Sequence, residues 1–231
     1  MRIKWAYGVT TCPQRRKDLL PRTLASLSAA GFDKPRLFID GAAGGTDWTS
    51  FGLGCTFRFP TIHTYGNWVL GLAELYVREP AADRYAMFQD DLVTCKNLRR
   101  YLDSVQYPEK GYWNLYTFPS NQSLAPGGGK TGWYHSNQFG RGAVALIFDR
   151  QTVLTLLTHQ HMVERPMDAH RGWKTVDGGI LTALQKAGWV EWVHDPSLVQ
   201  HTGLASSMGN KPHKLAVSFP GEEWDASEMI R

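Results

Sequence analysis

Long apolar runs are missing from this 231-residue chain. No stretch approaches the roughly 18–20 residues that a helical membrane span needs. The first nine residues, Met-Arg-Ile-Lys-Trp-Ala-Tyr-Gly-Val, alternate like a strand and contain no apolar signal core. Cysteine is scarce. Cys12, Cys55 and Cys95 are odd in number and scattered, without Cys-x-x-Cys spacing. That argues against a disulfide framework and a thiolate zinc site, and points to a reducing, cytoplasmic setting. Charge of one sign is also sparse: a net charge of +4 suits an acidic partner but leaves no basic tail. Aromatic residues are plentiful, with 9 Trp, 9 Tyr and 10 Phe. Tryptophan faces stack well on sugars and bases, although most tryptophan in any protein is core. With 42% hydrophobic residues the chain is too apolar for disorder, and its length suits one domain.

The order of patterns predicts an α/β domain. Residues 3–9 alternate as a first strand, and a helix follows with Asp18 as N-cap, Pro21 in its first turn and Gly31 closing it. A strand over 36–39 ends at Asp40-Gly41, completing a β-α-β unit that signals a parallel sheet. Residues 41–60 read as a glycine-rich loop with room for one short strand. A second helix is expected from Asn67 to Arg78, a strand over 85–89, a helix over 97–104 and a strand over 112–118. Residues 119–140 form a long Pro/Gly/Ser/Asn loop, which compact domains keep mainly for function. A strand over 143–148, a helix over 150–159, a helix over 177–188 and a strand over 190–193 complete the pattern. The core is expected over about 3–207, with 208–231 as a polar tail.

Ligands of open α/β sheets bind at the carboxyl ends of strands, and three such ends are polar here. Thr10-Thr11 follows the first, Asp40 the second and Asp90-Asp91 the third. Two adjacent carboxylates repel unless a cation or hydrogen bonds offset them, and Mg²⁺ or Mn²⁺ with substrate phosphate is a natural partner. A plain capping role for Asp90-Asp91 is the alternative. His201, between an apolar stretch and Thr202-Gly203, is a candidate ligand or a structural histidine. Asp177 reads as a helix N-cap, and a capping carboxylate also serves as a general base if its second oxygen faces the pocket.

Together these segments resemble the GT-A class of nucleotide-sugar glycosyltransferases over residues 3 to about 207. The resemblance rests on strand-Thr-Thr-Cys-Pro, Tyr-Gly-Asn-Trp, Gln89-Asp90-Asp91, Gly-Arg-Gly-Ala-Val-Ala-Leu-Ile-Phe and Pro-Ser-Leu-Val-Gln-His-Thr-Gly, in that order. It implies a single GT-A-like, Rossmann-like domain with a mixed, mostly parallel sheet flanked by helices. It implies Asp91 and His201 as ligands of Mn²⁺ or Mg²⁺, Asp90 beside the donor sugar or ribose, and Asp177 as the base of an inverting reaction. Thr10, Thr11, Arg15 and Asp40 would cradle the nucleoside of a UDP-sugar, and Asn67 would mark a helix N-terminus facing the donor. Gln89 stands where the family often has an acid.

Other signals compete. Leu124 to Thr131 approximates a P-loop but lacks its first glycine and a following helix. The segment fits better as a loop over substrate, with Lys130 near phosphate and Trp133 as a stacking platform; a plain surface loop is the alternative. Arg141, between Gly140 and Gly142, is placed at the pocket mouth. His159-Gln-His161 suits a helix end rather than a metal site. The acceptor is expected to be a glycan or lipid-linked sugar, or else a hydroxymethylated pyrimidine in phage-type DNA. A third possibility is a nucleotide or nucleic-acid binding protein without catalysis.

Overall fold

The alternating start of the chain builds β1 (Trp5–Thr11), and the helix after it is α1 (Leu19–Ala29). The Asp18 carboxylate caps α1 by accepting the Leu19 N–H at 2.6 Å, and Leu20 and Leu27 are buried on its inner face. Gly31 ends it at φ +94°, a backbone state that suits glycine. The computed structural model describes residues 3–42, 46–127, 131–164, 176–202 and 214–230.

Next come β2 (Arg36–Asp40), β3 (Cys55–Arg58), α2 (His63–Arg78), β4 (Arg84–Gln89) and β5 (Leu92–Thr94). The middle of the chain holds α3 (Leu98–Ser104), β6 (Gly111–Asn114), α4 (Pro119–Gln122) and β7 (Gly132–His135). The last third holds β8 (Ala145–Asp149), α5 (Arg150–Thr158), α6 (Gln160–Val163), α7 (Val176–Lys186), β9 (Val190–Asp195) and β10 (Val199–His201).

Eight strands form one sheet in the order β3-β2-β1-β4-β8-β6-β9-β7. The β3-β2-β1-β4 half is parallel; β8 runs against both β4 and β6, β9 lies parallel to β6, and β7 closes the edge against β9. The fold is α/β with a mixed, mostly parallel sheet. Both faces are buried, which is why β4 reads as a continuous apolar run. Ala86 and Phe88 pack with α1 and α3, whereas Tyr85 and Met87 pack with α2, α5 and α7. Outside this sheet, β10 pairs antiparallel with β5.

Four expectations need correction. Helix α2 starts at His63, before Asn67, because Asp40 Oδ1 accepts the Ile62 N–H at 2.9 Å and sets the first turn early. The strand expected to reach 118 stops at Asn114, whose side-chain oxygen accepts the Tyr116 N–H at 3.1 Å and turns the chain. The supposed structureless loop over 119–140 contains α4 and β7. The short pair β5 and β10 has no counterpart in the sequence pattern. Among the described residues no helix is long and apolar enough to cross a membrane.

Candidate active site

Strand β4 delivers Asp90 and Asp91 to the carboxyl edge of the parallel half-sheet, both buried at 8% and 6% exposure. Hydrogen bonds hold the turn. The Thr23 hydroxyl of α1 lies 2.9 Å from both the Asp90 and Leu92 carbonyls, and the Thr11 hydroxyl donates to Asp90 Oδ2 at 2.6 Å. Burial, and then the Asp91 charge beside it, push the Asp90 carboxyl up to about 7, against the opposing Thr11 hydrogen bond and Arg15. Asp91 differs. Its buried Oδ1 accepts no hydrogen bond from any described residue.

Register brings His201 to this carboxylate. In the β5/β10 pair His201 lies opposite Leu92, and the Thr202 N–H donates to the Asp91 carbonyl at 2.7 Å. The His201 Nε2 atom is 3.6 Å from Asp91 Oδ2, with the imidazole 4% exposed. Arg15 approaches the same oxygen, its Nη2 at 4.0 Å. An orphaned carboxylate oxygen and a buried imidazole nitrogen suit a divalent cation whose other positions are filled by ligand phosphate. Among the described residues no third His, Cys, Asp or Glu joins them as a metal cluster.

Asp177 lies within the first turn of α7 rather than at its cap, because the helix already includes Val176. Its Oδ2 accepts the Gly142 N–H at 3.1 Å and its Oδ1 the Gly178 N–H at 3.1 Å. Gly142 in turn presses on the Tyr116 ring, whose centre is 6.4 Å from that of His201. Tyr116 therefore joins the Asp177 side of the site to the Asp91 side. Buried Glu191 anchors the 136–142 segment from beneath: Ser136 Oγ donates to it at 2.6 Å and Asn114 Nδ2 at 3.1 Å. Burial pushes the Glu191 carboxyl upward, against these hydrogen bonds. Sequence reading missed Thr23, Tyr116 and Glu191; a threonine on the buried side of a helix and a carboxylate inside an apolar strand were the available signals.

The remaining candidates separate. Thr10 is buried, its hydroxyl donating to the Phe88 carbonyl at 3.3 Å. Asp40 spends one oxygen on Ile62, as described. Asn67 sits inside α2, not at its N-terminus, and its amide donates to the Phe38 carbonyl at 2.8 Å. Gln89 bonds the Ala143 carbonyl at 3.0 Å. Trp133 is half-buried: its ring stacks on Trp113 at 4.7 Å and 15° and meets His194 edge-on. Arg141 is exposed beside the Gly142–Asp177 contact. Lys130 lies outside the described residues.

No protein-family model matches the chain, and no curated protein does. Among solved structures it superposes on GalNAc-T7 bound to UDP, GalNAc and Mn²⁺, with a TM-score of 0.54 and 9% identity over 82% of this chain. The fold is GT-A-like. The chain spans 42% of the length of GalNAc-T7. A nucleotidyl transferase from Methanothermobacter gives a TM-score of 0.49 at 12% identity, covering 82% of this chain and 86% of that one. The catalytic domain of Drosophila β1,4-galactosyltransferase 7, in complex with xylobiose, gives 0.48 at 14%, covering 99% and 80%. In this GT-A-like fold Asp91 and His201 sit where open α/β sheets bind ligands, beyond the carboxyl end of a central parallel strand.

Proposed function

We propose that the chain is a metal-dependent glycosyltransferase that moves a sugar from a UDP-sugar to an acceptor hydroxyl. The observation that carries this reading is the buried Asp91 carboxylate, with one oxygen lacking a donor among the described residues and the other 3.6 Å from His201 Nε2. The GT-A-like fold and the UDP and Mn²⁺ bound by GalNAc-T7 support it. Asp91 and His201 would hold Mn²⁺ or Mg²⁺, which as a Lewis acid stabilises the charge of a departing diphosphate. Arg15, 4.0 Å from the same carboxylate, would add a cation on the diphosphate side. Thr11 fixes Asp90 toward the donor sugar or ribose, with Thr10 and Asp40 at the neighbouring strand ends.

Asp177 is the base of this reading. Two backbone N–H groups hold its carboxylate in place, and it takes the proton of the acceptor hydroxyl, consistent with inversion at the anomeric carbon. The acceptor is a glycan or a lipid-linked sugar. The assay is release of UDP from a panel of UDP-sugars with Mn²⁺, alone, with glycan acceptors and with hydroxymethylated DNA. Mn²⁺-dependent turnover that disappears in Asp91→Ala is expected. A chain whose melting temperature no nucleotide sugar shifts in Mn²⁺ is a binding protein of another kind, and the reading fails. Transfer to the DNA alone would replace the glycan acceptor with a pyrimidine base.

A further inference from the structure

Two cations meet on one aromatic ring beside the Asp177 contact. The Arg141 guanidinium carbon lies 5.3 Å, and the Lys214 ammonium 5.7 Å, from the centre of the Phe118 ring. Both residues are exposed, and among the described residues neither has a carboxylate at ion-pair distance. Their backbones are nevertheless tied to buried groups. The Asn114 amide donates to the Arg141 carbonyl at 3.2 Å, and the Tyr116 hydroxyl donates to the Lys214 carbonyl. Asn114 and Tyr116 are 1% and 2% exposed. The backbones of two like charges are thus held beside one ring, and an anion that took charge-assisted hydrogen bonds from both would relieve their repulsion.

We infer that Arg141, Lys214 and Phe118 form a subsite for a phosphate group of the acceptor, making that acceptor a sugar phosphate rather than a neutral glycan. The inference rests on the glycosyl-transfer reading. Within it the donor phosphates belong to Asp91, His201 and Arg15, whereas Arg141 directly precedes Gly142, whose N–H holds Asp177. Arg141 therefore stands on the acceptor side, with Lys214 beside it on the Phe118 ring. Two cations match one phosphate or diphosphate. A polynucleotide contact of about 6–10 phosphates needs more cations than this one pair on the Phe118 ring supplies.

Titration calorimetry tests the subsite on the full chain saturated with UDP and Mn²⁺, using glucose 1-phosphate as the probe and methyl glucoside as its neutral control. Saturable binding of the phosphate beside UDP is expected, at least tenfold weaker in the Arg141→Gln/Lys214→Gln double variant and recovered in Arg141→Lys/Lys214→Arg. Circular dichroism melts establish that the variants are folded. Unchanged binding in the double variant, or equal binding of methyl glucoside, overturns the subsite. Displacement of UDP by the probe, or loss of UDP binding in the double variant, moves the pair to the donor diphosphate and overturns the acceptor assignment. A single-stranded oligonucleotide bound beside UDP with a logarithmic salt slope steeper than about −2 identifies a multi-phosphate ligand and overturns the sugar phosphate. Failure of UDP with Mn²⁺ to bind at all sinks the glycosyl-transfer reading itself; the probe on the bare chain and double variant then still decides the subsite.

Discussion

His201 Nε2 faces Asp91 Oδ2 at 3.6 Å while the other oxygen of that buried carboxylate has no donor among the described residues. Leaving a buried acceptor unsatisfied costs about 1–3 kcal/mol, more for a charged group. In the proposed function a bound metal ion offsets that cost. Asp91→Asn preserves the shape and removes the charge, so Mn²⁺-dependent binding of UDP should weaken a hundredfold or more, about 3 kcal/mol. His201→Ala should weaken it in the same direction. Calorimetry with and without Mn²⁺ checks both; metal-independent UDP binding of wild-type strength in Asp91→Asn would remove the ion from the site.

Asp177 offers a separate test because its carboxylate is tied to Gly142 and Gly178 rather than to the Asp91 cluster. Asp177→Asn keeps the size of the side chain but cannot take a proton. Transfer should fall about 10²–10⁴-fold in kcat, the range of a lost general base, with the loss in turnover rather than in donor KM. Full activity in Asp177→Asn leaves the base unassigned.

The pH dependence of stability should carry the signature of His194. Its Nδ1 lies 2.7 Å from the Pro196 carbonyl, which only accepts, so Nδ1 bears the proton and Nε2 accepts the Tyr101 hydroxyl at 2.8 Å. This neutral tautomer is fully buried, and burial depresses the group to about 4. The unfolded chain therefore binds more protons than the folded one between about 6.5 and 4. The stabilisation is complete above about pH 6.5 and is lost as pH falls through that window, by up to about 3 kcal/mol. Urea midpoints of wild type and His194→Asn, taken from about pH 7.5 to 4.5, should converge as the pH drops. A constant gap across the window would show that His194 does not titrate there.

Patterns that repeat within one element are legible in the sequence alone. The alternation that opens the chain became β1, the capped leucine stripe after Asp18 became α1, and the apolar run into Asp90-Asp91 became β4. Features made by distant pairing are not. Val199 to His201 is too short for a period to show, and only antiparallel pairing with Leu92–Thr94 reveals it as a strand. The same pairing carries His201 to Asp91 across more than a hundred residues of chain. The start of α2 was hidden for a similar reason, since it is set by Asp40 from another element. The stacking of Trp133 on Trp113 was hidden in the same way, since Trp113 belongs to another strand.

Gly142 links stability to turnover in one residue. Its φ is +81°, and a Cβ there would lie 2.4 Å from Tyr116 Cδ1, while its N–H donates to Asp177 Oδ2 at 3.1 Å. Gly188 has a similar φ of +84° but open space around the Cβ position. Alanine at Gly188 should therefore cost only the left-handed backbone penalty, about 1–2 kcal/mol. Alanine at Gly142 should cost that penalty plus displacement of a ring that is 2% exposed and packed near His201. It should also shift the N–H away from Asp177, so kcat drops tenfold or more in the folded variant. Urea unfolding and initial rates on the two variants separate the effects. If both lose the same stability and neither loses turnover, the Gly142 N–H does not position Asp177, and Tyr116 does not couple the two halves of the site.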